Sequence, residues 1–79
     1  MSIIAIERSP IATGVTFTAD EMLVALADGR RLAVPLVWFP RLAKATSDQL
    51  KAYELLGAGE GIHWPQLDED LSVAGLLRP

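Results

Sequence analysis

The fold of this chain depends first on a turn, because Asp28-Gly29 separates two apolar segments, Met22–Ala27 and Arg30–Pro35. An Asp-Gly pair readily adopts the positive φ angles of a two-residue type I′ turn, so the two segments are predicted to form an antiparallel hairpin. In that register Ala25 lies opposite Leu32 and Leu23 opposite Val34. We therefore expect the core face of the hairpin to consist of Leu23, Ala25, Leu32 and Val34.

A third strand is predicted before the hairpin. Gly14–Thr18 alternates the apolar Val15 and Phe17 with threonines, which is typical of a half-buried strand. A three-residue loop, Ala19–Glu21, would place both apolar side chains on the expected core face, so we predict that loop. Ser2–Arg8 is a weaker strand candidate that a following Ser-Pro step would end.

After the hairpin the pattern becomes helix-like. Pro40 would cost a central strand a hydrogen bond but fits the first turn of a helix. A short helix is therefore predicted to begin between Leu36 and Phe39 and to end by Ala45.

A second helix is predicted at Ser47–Leu56. Thr46 and Gln49 have the spacing of a capping box, and Gly57 stands where a helix commonly ends. Three further side chains recur at helical spacing along the segment: Leu50, Tyr53 and Leu56.

The last third of the chain contains short elements. Ile62–Pro65 is predicted to be at most a short edge strand, because its proline lacks an amide donor. Ser72 is predicted to cap a single helical turn that ends at Leu77. A strand-like first half and a helix-like second half predict a single domain, 1–79, of the α+β class, with an N-terminal antiparallel sheet and short helices on one face.

The 79 residues contain no cysteine, which excludes disulfide-stapled domains, thiolate zinc sites and thiol enzymes. Ten acidic against seven basic residues, without a basic run, argue against direct nucleic-acid binding. Neither a signal peptide nor a membrane span is recognisable, so a cytoplasmic location without membrane contact is expected. A domain this small buries a modest share of its surface, which favours support from a partner protein or from a homodimer.

One group of residues has the chemistry of a metal or acid–base site: His63, Asp68 and Asp70. In the simpler interpretation, one histidine supplies too few specific ligands, and Asp68, Glu69 and Asp70 favour the positive end of the following helix. We predict no catalytic residue, no metal and no cofactor, and we keep the His63-centred site as an alternative.

The two tryptophans, each near a proline and a charge, are open to two interpretations. In a core, Trp38 and Trp64 would be the large fillers that a small domain needs. At an interface, tryptophan and arginine are the residues that anchor binding. The candidate interaction residues are Trp38, Arg41, Trp64, Asp68, Glu69 and Asp70.

Several runs match one known pattern in order and spacing: Asp28-Gly29-Arg30, Val34-Pro35-Leu36, Trp38-Phe39-Pro40-Arg41-Leu42, Ala45-Thr46, Gly61-Ile62-His63-Trp64-Pro65, Leu67-Asp68-Glu69-Asp70-Leu71-Ser72 and Gly75-Leu76-Leu77. Over about residues 12–77 the chain resembles the small bacterial family catalogued as domain of unknown function 2442 (DUF2442). The resemblance implies an α+β domain with an N-terminal antiparallel sheet and no assigned activity. It also implies a partner, because family members often occur beside a second small protein in pairs that look like toxin–antitoxin modules.

We therefore hypothesise a non-enzymatic protein-interaction module, the antitoxin-like member of a bacterial two-protein system. It would cover the working surface of a small, basic, toxin-like partner, with the three acids supplying charge complementarity and Trp38 or Trp64 the apolar anchor. The alternatives are the His63-centred site and a self-assembling structural subunit.

Overall fold

A computed structural model describes residues 10–77, so the predicted strand Ser2–Arg8 lies outside the described residues. Residues 10–77 form two three-stranded antiparallel sheets connected by short helices, which confirms the α+β class. Among these residues, no helix has the length and apolar character needed to cross a membrane.

The first sheet contains β1 (Ala12–Phe17), β2 (Glu21–Leu26) and β3 (Arg31–Pro35), in that spatial order. All neighbouring strands are antiparallel, and β2 is central. The hairpin between β2 and β3 turns at Asp28-Gly29, as the sequence predicts.

The β2–β3 turn nevertheless contains three residues rather than two, beginning at Ala27. Leu26 N–H donates to the carbonyl of Arg30 at 2.9 Å, which closes the loop one residue earlier than expected. Gly29 has a positive φ of 95°, but Asp28 does not, so the type I′ geometry is absent. Asp28 Oδ1 instead accepts a hydrogen bond from Arg30 N–H at 3.0 Å.

This one-residue shift makes the predicted core face wrong, because side chains alternate between the two faces of a strand. The buried side chains of the hairpin are Met22, Val24, Leu26 and Val34. Leu23 and Ala25 are only half-buried and lie on the opposite face of β2. Of the predicted set, Val34 is buried and Leu32 packs partly against the core.

The predicted three-residue loop between β1 and β2 is also wrong. The turn contains only Ala19-Asp20, and Thr18 N–H donates to the carbonyl of Glu21 at 2.9 Å. The Thr18 hydroxyl favours this tight turn because it accepts from Glu21 N–H at 3.0 Å. Since the two register errors are one residue each, they cancel, and Val15 and Phe17 do pack on the core side as predicted.

The chain then passes through short helices. A 3₁₀ turn, Leu36–Trp38, precedes α1 (Pro40–Ala43), whose first residue is the proline. The next helix is α2 (Ser47–Lys51), and its predicted capping box is present. Thr46 Oγ1 accepts from Gln49 N–H at 3.2 Å, and Gln49 Oε1 accepts from Thr46 N–H at 2.9 Å.

A second sheet follows, which the sequence pattern did not predict. It consists of β4 (Glu54–Leu56), β5 (Gly61–Trp64) and β6 (Glu69–Ser72), with β5 in the centre. The predicted helix Ser47–Leu56 is therefore too long, and the segment predicted as an edge strand is the central strand of a sheet.

The residues around β4 explain this change. Tyr53 and Leu55 both pack against the core, which is the two-residue spacing of a strand. Leu56, the last member of the helical pattern, is 43% exposed. Gly57 and Gly59 have φ angles of 62° and 110° in the β4–β5 turn, so the glycines form a hairpin turn rather than a helix end.

The two sheets share one hydrophobic core, and hydrogen bonds connect them. Ala12 N–H on β1 donates to the carbonyl of Gly59 at 2.7 Å, and Val15 N–H donates to Tyr53 Oη at 3.0 Å. Any Cβ at Gly59 would overlap the Ala12 carbonyl, so this contact requires glycine. The predicted cap at Ser72 is confirmed by α3 (Val73–Leu76), where the serine hydroxyl accepts from Gly75 N–H at 3.1 Å.

Candidate interaction surface

Two large apolar side chains lie next to each other on the surface between β3 and α1. Val37 is 76% exposed and Trp38 is 67% exposed. The neighbours on either side point inward, since Leu36 is buried and Phe39 packs against the core. We call Val37 and Trp38 the apolar knob.

The 3₁₀ geometry of this segment explains why the knob points outward. Residues three apart in a 3₁₀ turn lie on the same side, so burying Leu36 and Phe39 leaves the two residues between them exposed. Leu36 N–H donates to the carbonyl of Asp20 at 2.9 Å, and Phe39 N–H donates to the carbonyl of Leu36 at 2.9 Å. The knob therefore stands on a backbone that is hydrogen-bonded to the first sheet.

Arg41 connects α1 with the turn between β5 and β6. Its Nη1 donates to the carbonyl of Asp68 at 2.6 Å. Asp68 has a positive φ of 52°, the left-handed conformation that aspartate tolerates better than most residues. The guanidinium thus places the β5–β6 turn beside the helix that directly follows the apolar knob.

The three neighbouring acids do not act together at a helix end, as the simpler interpretation assumed. Asp68 lies in the turn, whereas Glu69 and Asp70 belong to β6, and that strand separates them from α3. Successive strand residues face opposite sides, and accordingly Glu69 is half-buried while Asp70 is exposed. Asp68 and Asp70 are therefore the exposed carboxylates of this hairpin.

Trp64 is a core residue, which corrects its place among the candidate interaction residues. It is fully buried on β5, and its indole Nε1 donates to the carbonyl of Leu50 at 3.0 Å. An anchor for a partner must be reachable from solvent, so Trp38 remains the candidate anchor in the folded chain.

His63 is paired with Asp70 across the second sheet. The imidazole Nδ1 contacts Asp70 Oδ1, and Glu54 is the cross-strand neighbour of His63 on the other side. No group of three or more His, Cys, Asp or Glu side chains within residues 10–77 could hold a metal ion. Asp68, the third residue of the alternative site, contacts Arg41 through its backbone carbonyl.

Val37 is the surface residue that sequence reasoning missed. The pattern Pro35-x-x-x-x-Pro40 could have revealed it, because two prolines five residues apart limit the helical segment between them to a short turn. When Leu36, the first residue of this turn, and Phe39, the residue that follows the turn, both pack inward, Val37 and Trp38 between them are exposed.

A family model described as "Protein of unknown function (DUF2442)" matches residues 12–79 of the chain. Two solved structures are similar over most of the chain. A crystal structure of a protein of unknown function from Rhodospirillum rubrum has 38% identity and a TM-score of 0.76, covering 89% of this chain and 87% of that one. A solution structure of an uncharacterized protein from Chromobacterium violaceum has 27% identity and a TM-score of 0.73, covering 96% and 71%. No curated protein is significantly similar.

Proposed function

Since the chain belongs to DUF2442, a family of unknown function, we propose that it is a non-enzymatic module that binds another protein through the apolar knob. The observation that carries this proposal is the exposure of Val37 and Trp38 on a hydrogen-bonded turn. Exposed large apolar side chains of this kind are costly to leave in water, and burying one contributes about 2 kcal/mol.

The composition of the surrounding surface supports the same proposal. Tryptophan and arginine are enriched among the residues that dominate binding energy, and Trp38 and Arg41 lie one helical turn apart in the sequence. Arg41 Nη1 already donates to the Asp68 carbonyl, so part of the guanidinium is hydrogen-bonded within the chain. Asp68 and Asp70 are exposed on the hairpin that Arg41 contacts, and they add negative charge to that hairpin.

The partner that we propose is a small basic protein, and this chain would be its antitoxin-like counterpart. The chain carries a net charge of −3, and its exposed acids lie on the hairpin next to the helix that follows the knob. Acidic surfaces attract basic ones and accelerate their association. Covering a basic, nucleic-acid-binding face would be enough to neutralise a toxin that acts through it.

The test is to recover partners of the affinity-tagged chain from its native host. The wild-type chain should retain one small basic protein at a fixed stoichiometry, which light scattering of the purified complex measures. Trp38→Ala should lose that protein, while Leu56→Ala, which truncates an exposed apolar side chain on β4, should retain it. Circular dichroism of both variants provides the control for folding.

Two results would contradict the proposal. If Trp38→Ala stays folded and retains the partner as well as wild type does, the knob is not the contact surface. If the wild-type chain is recovered only as a homodimer, the self-assembling alternative replaces it. For the antitoxin role, the captured protein expressed alone should stop growth, and co-expression of wild type but not of Trp38→Ala should restore it.

A further inference from the structure

The free edge of β1 borders a groove that is separate from the apolar knob. The groove has a volume of about 560 Å³. One wall consists of residues 15–19, in β1 and the turn after it, and the other wall consists of Ala43, Ala45, Ser47, Leu50 and Lys51, at the end of α1 and in α2. Two further apolar residues, Leu36 and Leu42, also line it.

The backbone of β1 presents hydrogen-bonding groups to this groove. Antiparallel pairs alternate between those that exchange hydrogen bonds and those that do not. Thr18 and Glu21 exchange one, so Val15 and Phe17 must point their backbone groups away from β2. The bond from Val15 N–H to Tyr53 Oη, at 3.0 Å, agrees with this direction.

Part of this edge is already used within the chain. The Gly59 carbonyl accepts a hydrogen bond from Ala12 N–H, and Tyr53 Oη accepts one from Val15 N–H. Among residues 10–77, the N–H and C=O of Phe17 and the C=O of Val15 have no hydrogen-bond partner. These three groups lie side by side along the groove.

The opposite edge of the same sheet differs. The bond from Leu26 N–H to the Arg30 carbonyl sets which residues of β3 point their backbone groups away from β2. These residues are Arg31, Ala33 and Pro35. A charge and a proline without an N–H are devices that prevent another strand from pairing. The described part of β1 has neither device, and the apolar groove adjoins it.

We propose that the groove binds an extended segment of another protein, which adds to β1 as a further strand. The segment would exchange two hydrogen bonds with Phe17 and donate one to the Val15 carbonyl. Alternate side chains of a strand point to the same face, so every second residue of the segment would be apolar and enter the groove. An acidic residue at its end would face Lys51, the one charged residue of the lining.

A second copy of this chain fits the groove less well. In a continuous sheet, the side chains that reach the groove are those on the core face of the added strand. On β1 of a second copy these are Val15 and Phe17, which already pack in that copy's own core. A segment with free apolar side chains has no such conflict.

The probe for the test is a phage-displayed library of random decapeptides, selected on the tagged full-length chain. Selected sequences should share apolar residues at alternate positions followed by an acid, with no proline at the pairing position. One such peptide is then synthesised, and its dissociation constant is measured by calorimetry for wild type and variants.

Two proline variants separate the edge from general effects of substitution. Phe17→Pro removes the outward N–H, whereas Phe17→Ala removes the same aromatic ring and keeps the N–H. We expect the proline variant to bind the peptide at least about tenfold more weakly than the alanine variant. Ala33→Pro removes an outward N–H on β3 and should bind like wild type, as should Trp38→Ala, because the knob is a different surface.

Amide hydrogen exchange identifies the occupant. In the free chain the Phe17 amide should exchange rapidly, and the peptide should protect it. Three results would overturn the proposal. The first is equal affinity of Phe17→Pro and Phe17→Ala for the peptide. The second is protection of the Phe17 amide that rises with protein concentration, which would reveal a second copy, and the third is protection in the free monomer, which would mean that the chain covers its own edge.

Discussion

At the scale of single residues, Trp38 and Trp64 show how the same side chain takes opposite roles. Trp64 belongs to a central strand, is fully buried and donates its indole N–H to the Leu50 carbonyl. Trp38 belongs to a 3₁₀ turn and is 67% exposed. The sequence leaves both roles open for each residue, because burial depends on which element carries it and where that element packs.

This difference predicts unequal effects of replacing each indole by a phenyl ring. Trp64→Phe should lower the free energy of unfolding by about 2–3 kcal/mol, because it leaves the Leu50 carbonyl without its donor and opens space in the core. Trp38→Phe should change it by less than about 0.5 kcal/mol. Urea denaturation followed by circular dichroism measures both, and equal losses would show that Trp38 is also structural.

Asp28 predicts a dependence of stability on pH. The backbone hydrogen bond from Arg30 N–H, aided by the Arg30 side chain, holds the pKa of Asp28 below its ordinary value. A carboxyl with a lowered pKa stabilises the fold at neutral pH, and this contribution disappears as the pH falls through the folded-state pKa. Asp28→Asn keeps an oxygen acceptor but removes the charge.

Wild type should therefore be slightly more stable than Asp28→Asn at neutral pH, and the difference should vanish well below about pH 4. Thermal unfolding of both chains across that range tests this. A difference that persists unchanged in acid would mean that the amide alters the turn itself rather than the charge.

At the scale of elements, the sequence predicts best where one residue decides the local backbone. Pro40 places the start of α1, and the Thr46–Gln49 box places the start of α2. The sequence predicts strand pairing least well where one additional loop residue changes the register, as Ala27 does between β2 and β3. The switch from helix to strand at Tyr53 could not be predicted, because it depends on distant contacts with Val15 and with β5.

The capping box predicts a measurable loss at its first residue. Thr46→Ala should lower the free energy of unfolding by about 1 kcal/mol, because Gln49 N–H loses its acceptor. Ser47→Ala is the matched control, since the adjacent exposed serine makes no capping bond, and it should cost less than about 0.5 kcal/mol. If both substitutions cost the same, the capping box does not stabilise α2.

At the scale of the whole molecule, two small sheets form one core, and the two most exposed large apolar side chains within residues 10–77 are neighbours in the sequence. Trp64, Leu42 and Met22 fill the centre, while Val37 and Trp38 stay outside it. The candidate surface could be predicted in part: Trp38, Arg41 and the acids follow from residue type. Trp64 had to be removed and Val37 added, because facing depends on turn geometry and strand order.

Iodide quenching of tryptophan fluorescence in the complex recovered from the native host tests the central claim most directly. In the free chain, iodide should quench Trp38 and leave the buried Trp64 unquenched, so that one of the two indoles is accessible. Binding of the partner, at a stoichiometry established by light scattering and corrected for the partner's own tryptophans, should abolish the accessible fraction. An accessible fraction that is the same in the free chain and in the complex would show that the partner binds elsewhere and would contradict the assignment of the apolar knob.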